Sequence, residues 1–142
     1  MLSIKKRNWK RIVKFLAVGL VSFVIDFSIL NVLSTISNIN KGAVAAFFSA
    51  ISFLFANFNS YYFNKKWTFK ENNLSAKYKT FLKISIIGVI INAIIIYFMT
   101  DFINQNLFSG TVWLNISKLI ASLLVASFNY INYKKFVFKV NK

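Results

Sequence analysis

Four long apolar runs, 12–36, 42–63, 80–103 and 112–133, dominate this 142-residue chain. Each is long enough for an α-helix, rising ~1.5 Å per residue, to cross a hydrocarbon layer of ~30 Å. Its 18 Lys and Arg keep almost entirely outside them. Lys5, Lys6, Arg7, Lys10, Arg11 and Lys14 lie at the N-terminus. Lys65, Lys66, Lys70, Lys77, Lys79 and Lys83 lie around the middle loop, and Lys134, Lys135, Lys139 and Lys142 at the C-terminus. The two short loops at the opposite end hold only Lys41. Basic residues mark the cytoplasmic side of a membrane protein. The chain is therefore expected to be an all-α membrane protein, a single transmembrane domain over 1–142 with four helices and both termini cytoplasmic. The same residues form a basic belt facing anionic lipid headgroups.

Composition supports this class and excludes others. At 57% hydrophobic and 18% aromatic, the chain lacks the polar surface of a soluble domain. A net charge of +15 would point to nucleic acid in a soluble protein, but topology accounts for it here. With no Cys and no His there is no disulfide framework, thiol nucleophile, zinc site or haem site. The acids, Asp26, Glu71 and Asp101, are too scattered for a metal cage or a paired-carboxylate active site. No enzyme activity and no cofactor are expected. The first run is too long for a signal-peptide core and lacks a small-x-small cleavage pattern, so it reads as an uncleaved span.

The two halves resemble each other. Phe15, Gly19, Ser22 and Asp26 share their spacing with Phe81, Ser85, Gly88 and Asn92, and each set occupies one helix face. Small residues on such a face allow close helix approach. The stretch from Asn59 through Lys65-Lys66-Trp67-Thr68-Phe69-Lys70 parallels Asn129 through Lys134-Lys135-Phe136-Val137-Phe138-Lys139, with one residue inserted. Two helical hairpins, about 10–70 and 76–139, are expected to form a parallel repeat about an axis normal to the membrane. The aromatic-x-Phe alternation at 67–69 and 136–138 predicts short extended segments that pair at the interface; aromatic anchoring at the headgroups is the alternative.

Polar residues inside the runs define a candidate site. Asp26 falls roughly 20 Å into the first helix, where an ionised carboxylate needs a partner, water or a proton. Lys118, at a similar depth on the fourth helix, is its natural partner unless its long stem snorkels outward. Neither has a charged counterpart in the other copy: Asp26 matches Asn92, and Lys118 falls opposite Phe48 or Ser49. Lys118, Ser122, Val125, Asn129 and Asn132 share one helix face. Ala46, Ala50, Phe53, Asn57, Ser60 and Asn64 share another. Both stripes grow more polar toward paired lysines, a track suited to an anionic amphiphile. Each asparagine could equally serve helix packing. Trp9 and Trp113 read as belt anchors at opposite membrane edges.

The chain resembles the GtrA family of small bacterial membrane proteins over nearly its whole length. The resemblance lies in Phe15-Leu16-x-Val18-Gly19 with Asp26 after it, Lys118 ahead of Asn129, and the twin endings from Asn64 and Asn129. The extra residue before Trp67 leaves Asn57 and Asn59 both eligible as the family-like asparagine. The resemblance implies a part in glycosylation of cell-surface polymers such as O-antigen, teichoic acid or arabinogalactan, by moving a polyprenyl-phosphate-linked sugar between leaflets of the bacterial cytoplasmic membrane. It makes Lys118, Asn129, Asn64 and Phe69 functional positions, with Phe81 beside them. On this reading Lys65, Lys66, Lys134 and Lys135 gather the phosphate, the asparagine stripes carry the head, and Lys118 receives the charge. A non-transporting adaptor for a membrane glycosyltransferase is the alternative, with Ser117/Ala121 and Ser122/Ala126 as docking seams. A small-multidrug-type exporter, using Asp26, is a third reading. So small a bundle also invites homodimerisation.

Overall fold

A computed structural model describes residues 2–69, 75–103, 108–132 and 136. Among these residues the chain forms α1 (Leu2–Ser37), α2 (Gly42–Phe63), a π-helical segment (Asn64–Phe69), α3 (Ser75–Asp101) and α4 (Gly110–Asn132). The parts long and apolar enough to span a membrane are Val13–Ser37, Gly42–Trp67, Lys79–Asp101 and Gly110–Asn132. These lie within a few residues of the expected spans, except that the second runs on to Trp67. The basic N-terminal part of α1 continues past its span. The helices alternate in direction, so one end of the bundle carries the start of α1, the end of α2, the start of α3 and the end of α4. We call this the basic end, and the other the far end.

Local chemistry fixes the far-end turns. Asn38 adopts φ 56°, the left-handed conformation that asparagine tolerates just past a helix. The Ser34 hydroxyl donates to the Ile39 carbonyl at 2.8 Å and holds that turn. Gly42 opens α2 at φ +66°, and its N–H donates to Thr100 Oγ1 at 3.0 Å. An otherwise orphaned amide at a helix start is thereby satisfied by α3. Trp113 Nε1 donates to the Met99 carbonyl at 2.6 Å, so this expected belt residue also ties α4 to the end of α3.

Sequential neighbours pack closely, α1 on α2, α2 on α3 and α3 on α4, whereas α1 and α4 pack only loosely. The far half holds the main apolar core, built from Leu30, Ala45, Ala46, Ile96, Leu114 and Ala121. A smaller cluster at the basic end joins Phe81 and Ile84 to Tyr61 and Phe128. Large apolar side chains such as Leu16, Leu20, Phe55, Phe58 and Leu123 face outward, as lipid requires.

Two expectations are corrected. Residues 67–69 are not extended: they lie in the π-helical continuation of α2, and Phe136 is also π-helical. Val137 and Phe138 lie outside the described residues. Near a membrane boundary, continuing the helix keeps backbone groups bonded within one segment, and three alternating residues carry too little pattern to override that. Exposed Trp67 instead receives Lys14, whose ammonium sits 5.1 Å from the ring centroid and donates to the Trp67 carbonyl at 3.5 Å. The second correction concerns the matched small residues. A Cβ on Gly88 would lie 3.1 Å from Val125 Cγ1 and 3.3 Å from Asn129 Oδ1, a tight helix approach. A Cβ on Gly19 would meet nothing within 4 Å, so Gly19 leaves space and does not admit a neighbouring helix.

Candidate functional site: a buried ion pair beside a cavity between helices

All four helices meet at Lys118. Its Nζ lies 2.7 Å from Asp26 Oδ1 on α1. It also lies 2.9 Å from Ser49 Oγ and 3.4 Å from Ser52 Oγ on α2, and 3.2 Å from Asn92 Oδ1 on α3. Lys118 has 0% of its surface exposed and Asp26 3%. Outward snorkelling is therefore excluded. An ammonium has three N–H donors, and each finds an acceptor here. The Ser52 hydroxyl donates to Asp26 Oδ1 at 2.6 Å, and the Ser49 hydroxyl to Asn92 Oδ1 at 2.6 Å. Two charges survive in a low-dielectric interior only when paired and hydrogen-bonded in this way. Asp26 and Asn92, the matched positions of α1 and α3, both reach the ammonium. Of the two residues that fall opposite Lys118, Ser49 bonds to it, whereas Phe48 packs against the far-half core.

On the far side of the ion pair, Asn31 and Asn115 exchange side-chain hydrogen bonds of 2.8 and 3.0 Å and join α1 to α4. At the basic end the two helices meet again through Phe15 and Tyr130, ring centroids 5.8 Å apart. Between these two contacts, on the basic-end side of Asp26, lies a cavity of about 140 Å³. Gly19, Ser22 and Asp26 line it from α1, Phe53, Asn57 and Ser60 from α2, and Ser122, Ala126 and Asn129 from α4. Asn129 Oδ1 and Ser122 Oγ are buried with no hydrogen-bond partner among the described residues. A buried acceptor left unpaired costs about 1–3 kcal/mol, so such atoms mark a place where water or a ligand completes the bonding.

Lys118 does not border this cavity. Two of the groups it touches do: the Asp26 carboxylate and the Phe53 ring, whose centroid is 5.8 Å from Nζ. The cavity thus presents uncharged hydroxyls and amides, one paired carboxylate and aromatic faces, while the ammonium sits behind them.

The sequence-derived candidates separate by position. Asp26, Asn57, Ser122 and Asn129 line the cavity. Asn59 faces elsewhere: its Nδ2 donates to Ser22 Oγ at 3.0 Å, and it lines a groove between α1 and α2 with Val18, Tyr62 and Lys66. Asn57 is thus the asparagine of α2 that reaches the cavity. Asn64 is buried and donates to Ser60 Oγ at 3.1 Å. Asn132 donates to its own helix at the Phe128 carbonyl, 2.8 Å away. Phe81 is buried, with its ring 4.3 Å from that of Tyr61, in the basic-end cluster. Lys65 is half-buried, and Lys66 is exposed with its ammonium 2.6 Å from the Tyr62 hydroxyl. The Phe69 backbone belongs to the π-helical segment, and Lys134 and Lys135 lie outside the described residues.

Ser52 and the Asn31–Asn115 pair are participants that sequence reasoning missed. Asn115 lies three residues before Lys118 on the same helix face, and an amide in a transmembrane segment calls for a partner across helices. That spacing was the available signal.

A bundle of this kind, four apolar spans enclosing a neutralised ion pair and a largely apolar cavity studded with hydroxyls and amides, defines a multi-pass membrane protein with an internal site. Residues 14–138 match the GtrA/DPMS transmembrane domain, and the chain belongs to that family. No curated protein and no solved structure is similar enough to match.

Proposed function

We propose that the protein moves a polyprenyl-phosphate-linked sugar from the inner to the outer leaflet of a bacterial cytoplasmic membrane, for glycosylation of cell-surface polymers. Both termini lie in the cytoplasm on this reading, because the basic residues gather at that end. The supporting observation is the cavity with unpartnered polar atoms inside a membrane-spanning bundle, beside the loosely packed α1–α4 seam. A sugar and phosphate cannot cross hydrocarbon unaided. A seam lets the polar head enter the bundle while the polyprenyl tail stays in lipid. The role is non-catalytic. Proposed partners are the lipid-linked sugar, anionic lipids at the basic end, a membrane glycosyltransferase and a second copy of this chain.

The packed far half favours a second reading. Beyond the ion pair the bundle is closed by the Asn31–Asn115 bonds and the apolar core. A protein that only binds the lipid-linked sugar and hands it to a glycosyltransferase needs no opening there. An exporter of cations is less well supported, because Asp26 is committed to Lys118.

Reconstitution separates these roles. Purified protein in liposomes carrying a short-chain polyprenyl-phosphate-hexose is expected to speed the lipid's exchange between leaflets at least ten-fold over empty liposomes. Tight binding without faster exchange supports the adaptor, and neither binding nor exchange removes both readings.

A further inference from the structure

We infer that the cavity among α1, α2 and α4 is a site for an uncharged polyol, so that the lipid-linked sugar enters sugar-first while its phosphate stays at the basic end. This rests on the function proposed above and specifies which part of the substrate the bundle reads.

The charge balance of the lining carries the inference. Lys118, the cation expected to receive a phosphate, has its N–H donors engaged by Asp26, Ser49 and Asn92 and does not border the cavity. What faces the space is the paired Asp26 carboxylate and a set of uncharged hydroxyls and amides, Ser22, Asn57, Ser60, Ser122 and Asn129, of which Asn129 Oδ1 and Ser122 Oγ are unpartnered. A phosphate placed there would bring an uncompensated charge into a poorly screening space that offers no free cation among the described residues. The Asp26–Lys118 pair is already neutral, and the other polar groups are uncharged hydroxyls and amides. A cation would gain little, because Lys118 already balances Asp26. A polyol suits the site, since its hydroxyls both donate to and accept from these uncharged groups and the faces of Phe15, Phe23 and Phe53 cover its C–H surface. The space, about 140 Å³, holds several waters and is of the order of one sugar ring. Cations for the phosphate lie at the basic end: Lys14 sits on Trp67, and Lys66 on Tyr62 with its ammonium 4.4 Å from the ring centroid.

The test compares short-chain polyprenyl phosphate with the same lipid bearing glucose, galactose or N-acetylglucosamine, binding to the full chain in nanodiscs by native mass spectrometry. At least one sugar-bearing lipid is expected to bind ten-fold or more tightly than the bare phosphate. Gly19→Leu, at a position where a Cβ meets nothing within 4 Å, projects a side chain into the cavity and is expected to abolish that preference. Ser122→Ala with Asn129→Ala, which removes acceptors without adding bulk, is expected to cut the preference by at least five-fold. Equal binding of bare and sugar-bearing lipids to the wild type overturns the inference while leaving translocation standing. So does a preference that survives in folded variants of both kinds. Binding of neither lipid overturns the inference together with the function it rests on.

Discussion

Lys118→Ala is expected to destabilise the bundle by about 3–5 kcal/mol, the usual cost of removing one partner from a buried ion pair. It strands the Asp26 carboxylate in a space where Asp26 is 3% exposed, and it takes a bond from Ser49 and from Asn92 as well. Asp26→Ala is expected to cost a similar amount by stranding the ammonium. The double variant Asp26→Leu with Lys118→Met should recover most of the loss, because an apolar pair of similar volume carries no desolvation penalty. Unfolding in mixed micelles, read as a double-mutant cycle, measures the coupling. The double variant is nevertheless expected to abolish sugar-lipid exchange in liposomes, since it removes the carboxylate that borders the cavity. Recovery of both stability and exchange would make the ion pair a packing device alone.

Gly88→Leu is the second large effect. The Gly88 Cβ position already lies 3.1 Å from Val125 and 3.3 Å from Asn129 Oδ1, with Phe53 at 3.5 Å. Gly88→Ala asks these neighbours to yield by a few tenths of an ångström, whereas leucine forces α3 away from α4. Overpacking of this kind costs about 1–3 kcal/mol. Because the displaced groups, Asn129 and Phe53, line the cavity, binding of a polyprenyl-phosphate-hexose should fall at least ten-fold. Gly19→Ala, placed in open space, should leave the unfolding midpoint unchanged. The two glycines, on equivalent helix faces but at different places in the repeat (Gly19 matches Ser85, and Gly88 matches Ser22), thus have opposite roles: one sets a helix contact and the other leaves room.

The spans were legible because a long apolar run has few solutions in lipid. The Asp26–Lys118 pairing was legible from depth alone, since two opposite charges at similar levels on antiparallel helices each need a partner. What surrounds the pair was harder to read. A serine in an apolar run often bonds its own helix, as Ser117 does to the Trp113 carbonyl and Ser127 to that of Leu123. Nothing in the run marks Ser49 and Ser52 as bonding across helices. Asn57 and Asn59 are two residues apart, about 200° around a helix, so only one could reach the cavity, and the rotation of α2 decides which. That Asp26 and Phe53 stand between Lys118 and the cavity depends on how α1, α2 and α4 converge, which no linear spacing encodes. The aromatic-x-Phe alternation misled because its few residues fit a helical continuation as well as a strand.

The central claim is a water-lined space between α1, α2 and α4 that opens toward the basic end. The chain has no native cysteine, so single cysteines report on it cleanly. Reaction of Ser122→Cys, Asn129→Cys and Leu123→Cys with a membrane-impermeant thiol reagent, in inverted vesicles that expose the basic end, is the most direct measurement. The account predicts rapid labelling at 122 and 129, none at lipid-facing 123, and protection of 122 by a bound polyprenyl-phosphate-hexose. Position 122 as inert as position 123 would contradict it.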